Sequence, residues 1–256
     1  MLRFIALMRL IHAELRKVRT TRLWIGLSIG GSALVVLATV AVLLVAGTSE
    51  GLRQGLGPIT TVEDVQTLVW SGAAMSFFAI VLAATMATGE YRYGTAAGTY
   101  LATPSRTNVI SAKVLAAIPL GAALGLVGGI VPLSIAAVWF AVKGDALPFG
   151  LAVVTAMADV CVQCAYGAAL AVCVGAAIRS QLVAILGLLG WVFVAEPLAT
   201  VLVPALKRWA PFTGVQGAFG APDALLFGPA AAAGLMVLYV APAWYAAVWL
   251  ERRRDV

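Results

Sequence analysis

Six apolar runs, each long enough to cross a bilayer at about 1.5 Å per helical residue, leave this 256-residue chain little choice of solvent. They occupy residues 23–46, 67–88, 114–142, 151–178, 182–202 and 226–250. Lipid offers no water to backbone N–H and C=O groups, so the runs must be helices. The fold class expected is all-α integral membrane, with six transmembrane helices in a single domain over 1–256. Composition agrees: 62% of residues are hydrophobic and 11% charged, more apolar surface than a water-soluble domain can hide. The runs at 114–142 and 151–178 exceed one bilayer, so they are expected to tilt, kink or begin as interfacial turns. Pro119 and Pro132 are the expected kink points.

Lys and Arg set the orientation. One side carries Arg3, Arg9, Arg16, Lys17, Arg19, Arg22, Arg92, Arg106, Lys113, Arg179, Arg252, Arg253 and Arg254; the other carries Arg53, Lys143, Lys207 and Arg208. Thirteen against four of the seventeen basic residues places both termini and segment 89–113 in the cytosol. Basic residues dispersed between apolar runs are topology signals, so the net charge of +6 is not read as a nucleic-acid patch.

Residues 1–22 are amphipathic. Phe4, Leu7, Met8, Ile11, Leu15 and Val18 share one helical stripe, and Arg9, His12, Arg16 and Arg19 cluster opposite. Such a helix is expected in the membrane interface, facing lipid headgroups or a partner, and not as a cleavable signal. His12, the single histidine, is read as a solvated side chain.

Segment 89–113 is a polar interruption bearing Glu90, Tyr91, Arg92, Tyr93, Tyr100 and Arg106. Within it, Leu101-Ala-Thr-Pro-Ser reads as a short helix stopped by Pro104. Glu90 is expected to pair with Arg16, Arg19 or an arginine of a partner. On the outer side, 47–66 is acidic and 143–150 is short. Segment 204–225, with Trp209, Phe212 and Phe219 among prolines and glycines, is too apolar for a solvated loop. It is expected to dip back into the outer leaflet as broken helices.

Chemistry has few candidates. No phosphate-binding Gly-rich loop, metal-ligand cluster or Ser/His/Asp set is present in the sequence. Cys161 and Cys164 form C-V-Q-C without further ligands and, with Cys173, read as packing thiols. Asp159 with Gln163 four residues on, and Glu196 before Pro197, are ionisable or polar groups within spans. Each either lines a substrate path, makes an interhelical hydrogen bond, or is an interface carboxylate that simply reaches water. Trp70, Phe77 and Phe78 are further path candidates, against lipid-facing or packing roles. Gly121, Gly125 and Gly129 recur every four residues and invite a helix to approach, from this chain or from a second subunit.

Four stretches together resemble ABC-2 type transporter permeases, of the small six-span kind found in bacteria and especially actinobacteria. They are HAELRKVRTTRLWIGL, GEYRYGTAAGTYLATPSR with NVISAK after it, RSQLVAILGLLGWVFVAEPL, and ERRRDV. The resemblance implies a connecting helix at 1–22, with Arg9, Arg16 and Arg19 on its basic face. It implies a coupling helix in 89–113 that sits in a groove of a separate ATPase, with Glu90, Tyr91, Tyr93, Leu101, Pro104 and Arg106 as the transmission surface. It also implies outer re-entrant helices between the fifth and sixth spans. Two permeases, as homodimer or heterodimer, and two ATPases would make an exporter in the bacterial cytoplasmic membrane, with the path between the permeases. ATP and Mg would be held by the ATPase and no cofactor by this chain, which would not itself be an enzyme. The expected cargo is an amphipathic drug, antimicrobial peptide or lipid-like molecule. No large outer domain is present, unlike macrolide-type permeases. The alternatives are a sensory or resistance module coupled to an ATPase without net transport, and an intramembrane enzyme using Asp159 or Glu196.

Overall fold

The computed structural model describes residues 2–53, 57–103, 105–216 and 226–253, excluding the side chains of 2–6, 52 and 102. Pro104, Arg254 and 217–225, including Phe219, lie outside the described residues. The described chain is helical without a strand, and six helices are long and apolar enough to cross a membrane. This is the architecture of a multi-pass membrane protein.

The amphipathic α1 (Leu2–Thr20) leads into α2 (Leu23–Val45), the first span. After α3 (Ser49–Arg53) come α4 (Val62–Trp70), a 3-10 turn at Ser71–Ala74, and α5 (Met75–Arg92), which together form span 2. A capping box starts that span: the Thr61 hydroxyl accepts from the Asp64 N–H, and the Asp64 carboxylate accepts from the Thr61 N–H. The short α6 (Ala96–Ala102) precedes α7 (Arg106–Lys143), span 3, and α8 (Leu151–Ile178), span 4. Span 5 is α9 (Gln181–Gly190), a π-turn at Trp191–Ala195 and α10 (Glu196–Leu202). Pro197 lacks an N–H and its ring crowds the Phe193 carbonyl, which accounts for a widened turn at that point. A 3-10 segment at Pro204–Trp209 and α11 (Thr213–Gln216) lead toward α12 (Pro229–Arg253), span 6.

Span ends shift accordingly. Span 2 begins earlier than the apolar run and ends later, and span 3 starts at Arg106. The expected 25-residue interruption therefore shrinks to one seven-residue helix between turns, with Glu90, Tyr91, Arg106 and Lys113 on the spans themselves. Both Pro119 and Pro132 lie inside an unbroken α7.

Spans 3 and 4 share the most extensive interface, and glycine makes it possible. A Cβ on Gly125 would come within 2.6 Å of the Cys161 Cα, and one on Gly121 within 2.9 Å of the Ala165 Cα. Gly129 packs on Met157. The glycine repeat is thus used within the chain, and the C-V-Q-C segment is the surface it packs on. Gly72, in the 3-10 turn of span 2, abuts the Gly128 carbonyl so closely that a Cβ has no room. Spans 2, 3 and 4 form a tight block, and spans 1, 5 and 6 are far less enclosed.

Candidate functional site

The ends of five spans, α1 and α6 meet at one end of the bundle, where most basic residues gather. Two polar clusters organise this basic end.

The first cluster has two carboxylates and two ammonium groups. Lys17 lies 2.6 Å from Glu14 and 2.5 Å from Glu90, while Lys113 lies 3.0 Å from Glu14 and 3.2 Å from Glu90. It ties α1 to the ends of spans 2 and 3, and Thr99 of α6 adds a hydrogen bond to Glu90 at 3.1 Å. Glu14, Glu90 and Lys113 are enclosed and Lys17 is half-exposed; buried charges persist when paired, and here each of the four meets two opposite partners. Burial alone would lower the Lys17 ammonium, but hydrogen bonds and charge from Glu14 and Glu90 outweigh it and hold the group above the ordinary 10.5. Its contribution to stability is therefore complete below that value and is lost only as pH rises through the raised one.

The second cluster surrounds Glu251, fully buried in the last turn of span 6. Its carboxylate accepts from the Tyr91 and Tyr100 hydroxyls at 2.8 and 2.7 Å and pairs with the Arg179 guanidinium at 2.8 Å. Arg106 donates to the Glu251 carbonyl, and Arg252 donates to Thr107. Arg179 stacks 5.1 Å from the Tyr91 ring, and Arg106 lies 5.5 Å from that of Tyr100. Burial, reinforced by hydrogen bonding to Tyr91 and Glu251, raises the Tyr100 hydroxyl, keeping it a neutral donor.

The residues expected to face a partner thus divide. Glu90, Tyr91 and Arg106 turn inward, and Glu90 pairs with Lys17 and Lys113 in place of Arg16 or Arg19. Tyr93 and Leu101 face outward, 74% and 85% exposed. Arg9, Arg16 and Arg19 are exposed on α1, whose apolar stripe packs on span 3, and His12 hydrogen-bonds the Met8 carbonyl. Sequence reasoning gave Glu14 and Glu251 no role, counted Lys17, Lys113 and Arg179 only as topology charges, and read Tyr100 only as a ring of the polar segment. A signal existed for two of them. Glu14 stands one heptad after Leu7, at the margin of the apolar stripe, and Glu251 continues the buried stripe of Ala247 and Val248.

The expected path residues do not converge on one surface: Phe77 and Phe78 touch edge-on at 5.1 Å and Gln163 bonds Asp159, but the rings pack toward different spans. Phe77 stacks edge-on with Phe193 of span 5 at 5.4 Å, while Phe78 packs on Gly30 and Gly31 of span 1. Trp70 packs against the core with its indole N–H buried and, among the described residues, unpaired. Asp159, 1% exposed, accepts from Gln163 at 3.3 Å, and its other oxygen has no hydrogen-bond partner among the described residues.

Glu196 serves as a tether. Its carboxylate accepts the Trp191 indole N–H and the Phe212 N–H, both at 2.9 Å, and the Thr213 N–H. Phe212 in turn meets Tyr166, fifteen residues into span 4 and so roughly 22 Å along it at 1.5 Å per residue. Glu196→Gln is expected to release 203–216, because one acceptor oxygen becomes a donor facing donors. Losing about 1.5–3 kcal/mol of charge-assisted hydrogen bonding corresponds to a roughly 10- to 100-fold rise in opening. Trypsin cleavage after Lys207 or Arg208 should quicken accordingly, and Trp191→Phe should change it less.

No protein-family model matches the sequence, and no curated protein matches it.

Proposed function

We propose that this chain is the membrane subunit of an ATP-driven exporter of the ABC-2 permease kind. A separate ATPase docks on α6, and an amphipathic substrate moves outward across a bacterial cytoplasmic membrane. The observation that carries this reading is the division within the basic end. Thr99 and Tyr100 root α6 on Glu90 and Glu251, while Leu101 of α6 and Tyr93, in the turn before it, remain exposed. An apolar side chain held outward on a short, firmly rooted helix is suited to filling a groove in a soluble partner.

The thirteen basic residues support a cytosolic basic end with both termini there. The burial of Ala210, Phe212 and Val215, with Phe212 against mid-span Tyr166, supports an outer segment that re-enters the bilayer. Phe77 and Phe193, stacked between spans 2 and 5, are the aromatic surface offered to an amphipathic cargo. In this reading a second permease completes the path, and two ATPases hold the ATP and Mg. Exposed Arg9, Arg16 and Arg19 meet anionic lipid or the ATPase.

The test is affinity capture of the tagged chain from membranes of its native host, with any ATP-binding protein that comes down identified by mass. Leu101→Glu is expected to lower ATPase capture at least tenfold, since a buried leucine is worth about 1.5–3 kcal/mol. Equal capture by Leu101→Glu and the wild type would remove α6 as the docking element.

A further inference from the structure

Thr99 and Tyr100 are adjacent in sequence, yet they hold two different carboxylates. Thr99 reaches Glu90, within the cluster that links α1 to spans 2 and 3. Tyr100 reaches Glu251, and through it Arg179. The second route leads somewhere the first does not. Arg179 and Ser180 are the whole connection between spans 4 and 5, and Arg179 holds a left-handed backbone with φ of 59°. A non-glycine residue in that conformation needs its surroundings to fix it. Glu251 supplies a salt bridge at 2.8 Å, with a second contact from Nε at 3.1 Å, and Tyr91 supplies a stacked ring.

Span 5 is the least enclosed of the six, so its direction depends on how it leaves that two-residue joint. It carries Phe193, which faces Phe77, and Glu196, which tethers the outer segment. Gln181, the first residue of α9, is further held by Arg92 at 2.9 Å. Spans 2, 3 and 4 are locked by close glycine contacts, and of the three less enclosed spans, span 5 is the one that leaves the block through the Arg179–Ser180 joint.

We propose that Glu251 is a positioning residue that converts displacement of α6 into rotation of span 5 about the Arg179–Ser180 joint. Glu251 is fully buried and belongs to neither the exposed docking face nor the Phe77–Phe193 surface, so it acts through Tyr100 and Arg179. The proposal rests on the reading of α6 as the docking element for an ATPase.

The test uses the captured complex in lipid nanodiscs, with spin labels at position 154 on span 4 and position 198 on span 5, both exposed and neither on α6. The label separation is measured without nucleotide and with ATP plus vanadate. The wild type is expected to change its separation by several ångströms. Glu251→Gln and Tyr100→Phe should abolish that change while capturing the ATPase in wild-type amount, and Glu251→Asp should restore part of it. Tyr100→Phe leaves the Glu251–Arg179 pair intact, so it decides the matter if Glu251→Gln fails to fold. A nucleotide-dependent change that persists in the variants, or is missing from the wild type, overturns the role of Glu251. Failure of the wild type to capture any ATPase overturns the docking reading itself and the role of Glu251 with it.

Discussion

Replacing Gly125 by alanine is expected to destabilise the detergent-solubilised protein by about 1–3 kcal/mol, and replacing it by leucine to prevent the bundle from forming. The reason is the identity of the atoms in the way. A Cβ at this position would sit 2.6 Å from the Cys161 Cα and 2.7 Å from the Val160 carbonyl oxygen, both backbone atoms of span 4. No rotamer change relieves such a contact, so spans 3 and 4 must move apart. Close approach is what holds helices together where lipid removes the hydrophobic drive, so the separation costs contacts along the whole seam. Gly26 and Gly234 are the controls, since a Cβ at either meets nothing within 4 Å. Alanine at those positions should leave the thermal midpoint unchanged or raise it, given that glycine inside a helix costs up to about 1 kcal/mol. Midpoints followed by size-exclusion chromatography after heating decide between these outcomes.

Lys113→Met is expected to be the most damaging single change at the basic end. Lys113 is buried and lies 3.0 and 3.2 Å from Glu14 and Glu90. Removing it leaves two carboxylates with Lys17 as their one remaining cation in the cluster, and breaking a buried pair in this way typically costs about 3–5 kcal/mol. Methionine fills similar volume, so the loss is electrostatic and not a cavity effect. A second change then has an opposite sign from the usual one. Glu14→Gln alone should destabilise, but added to Lys113→Met it should recover part of the loss by leaving Lys17 and Glu90 as a balanced pair. The double-mutant cycle measured on thermal midpoints gives that coupling directly. Additive losses would mean that the cluster does not act as one unit.

The spans were legible in the sequence because lipid imposes a simple rule on length and apolarity, and all six runs sit inside the helices that form them or overrun an end by at most three residues. The run at 67–88 lies wholly inside span 2, whose acidic first turn Glu63–Asp64 belongs to a capped helix that hydropathy alone reads as loop. The inward pairs were not legible. Glu90 and Lys17 are 73 residues apart, and Glu251 and Tyr91 are 160 apart, so their meeting depends on where helices cross. Charge counting favoured arginines for Glu90, but the face of α1 that carries Arg9, Arg16 and Arg19 turns away from span 3. The glycine repeat left open which helix it would meet, and the structure answers with span 4 of the same chain. For Glu196, nothing local indicated that two of its three hydrogen-bond donors lie sixteen and seventeen residues on.

The docking reading is tested most directly in intact cells. A photoreactive side chain at position 101, and in parallel at position 151 on the opposite end of the bundle, is cross-linked in place and the adducts are identified by mass. Leu101 and Leu151 are exposed to similar degrees in the isolated chain, so reactivity alone does not separate them. Position 101 is expected to yield one dominant protein adduct containing an ATP-binding subunit, and position 151 none. Lipid or self adducts alone at position 101, or the ATP-binding subunit captured from position 151, would contradict the account.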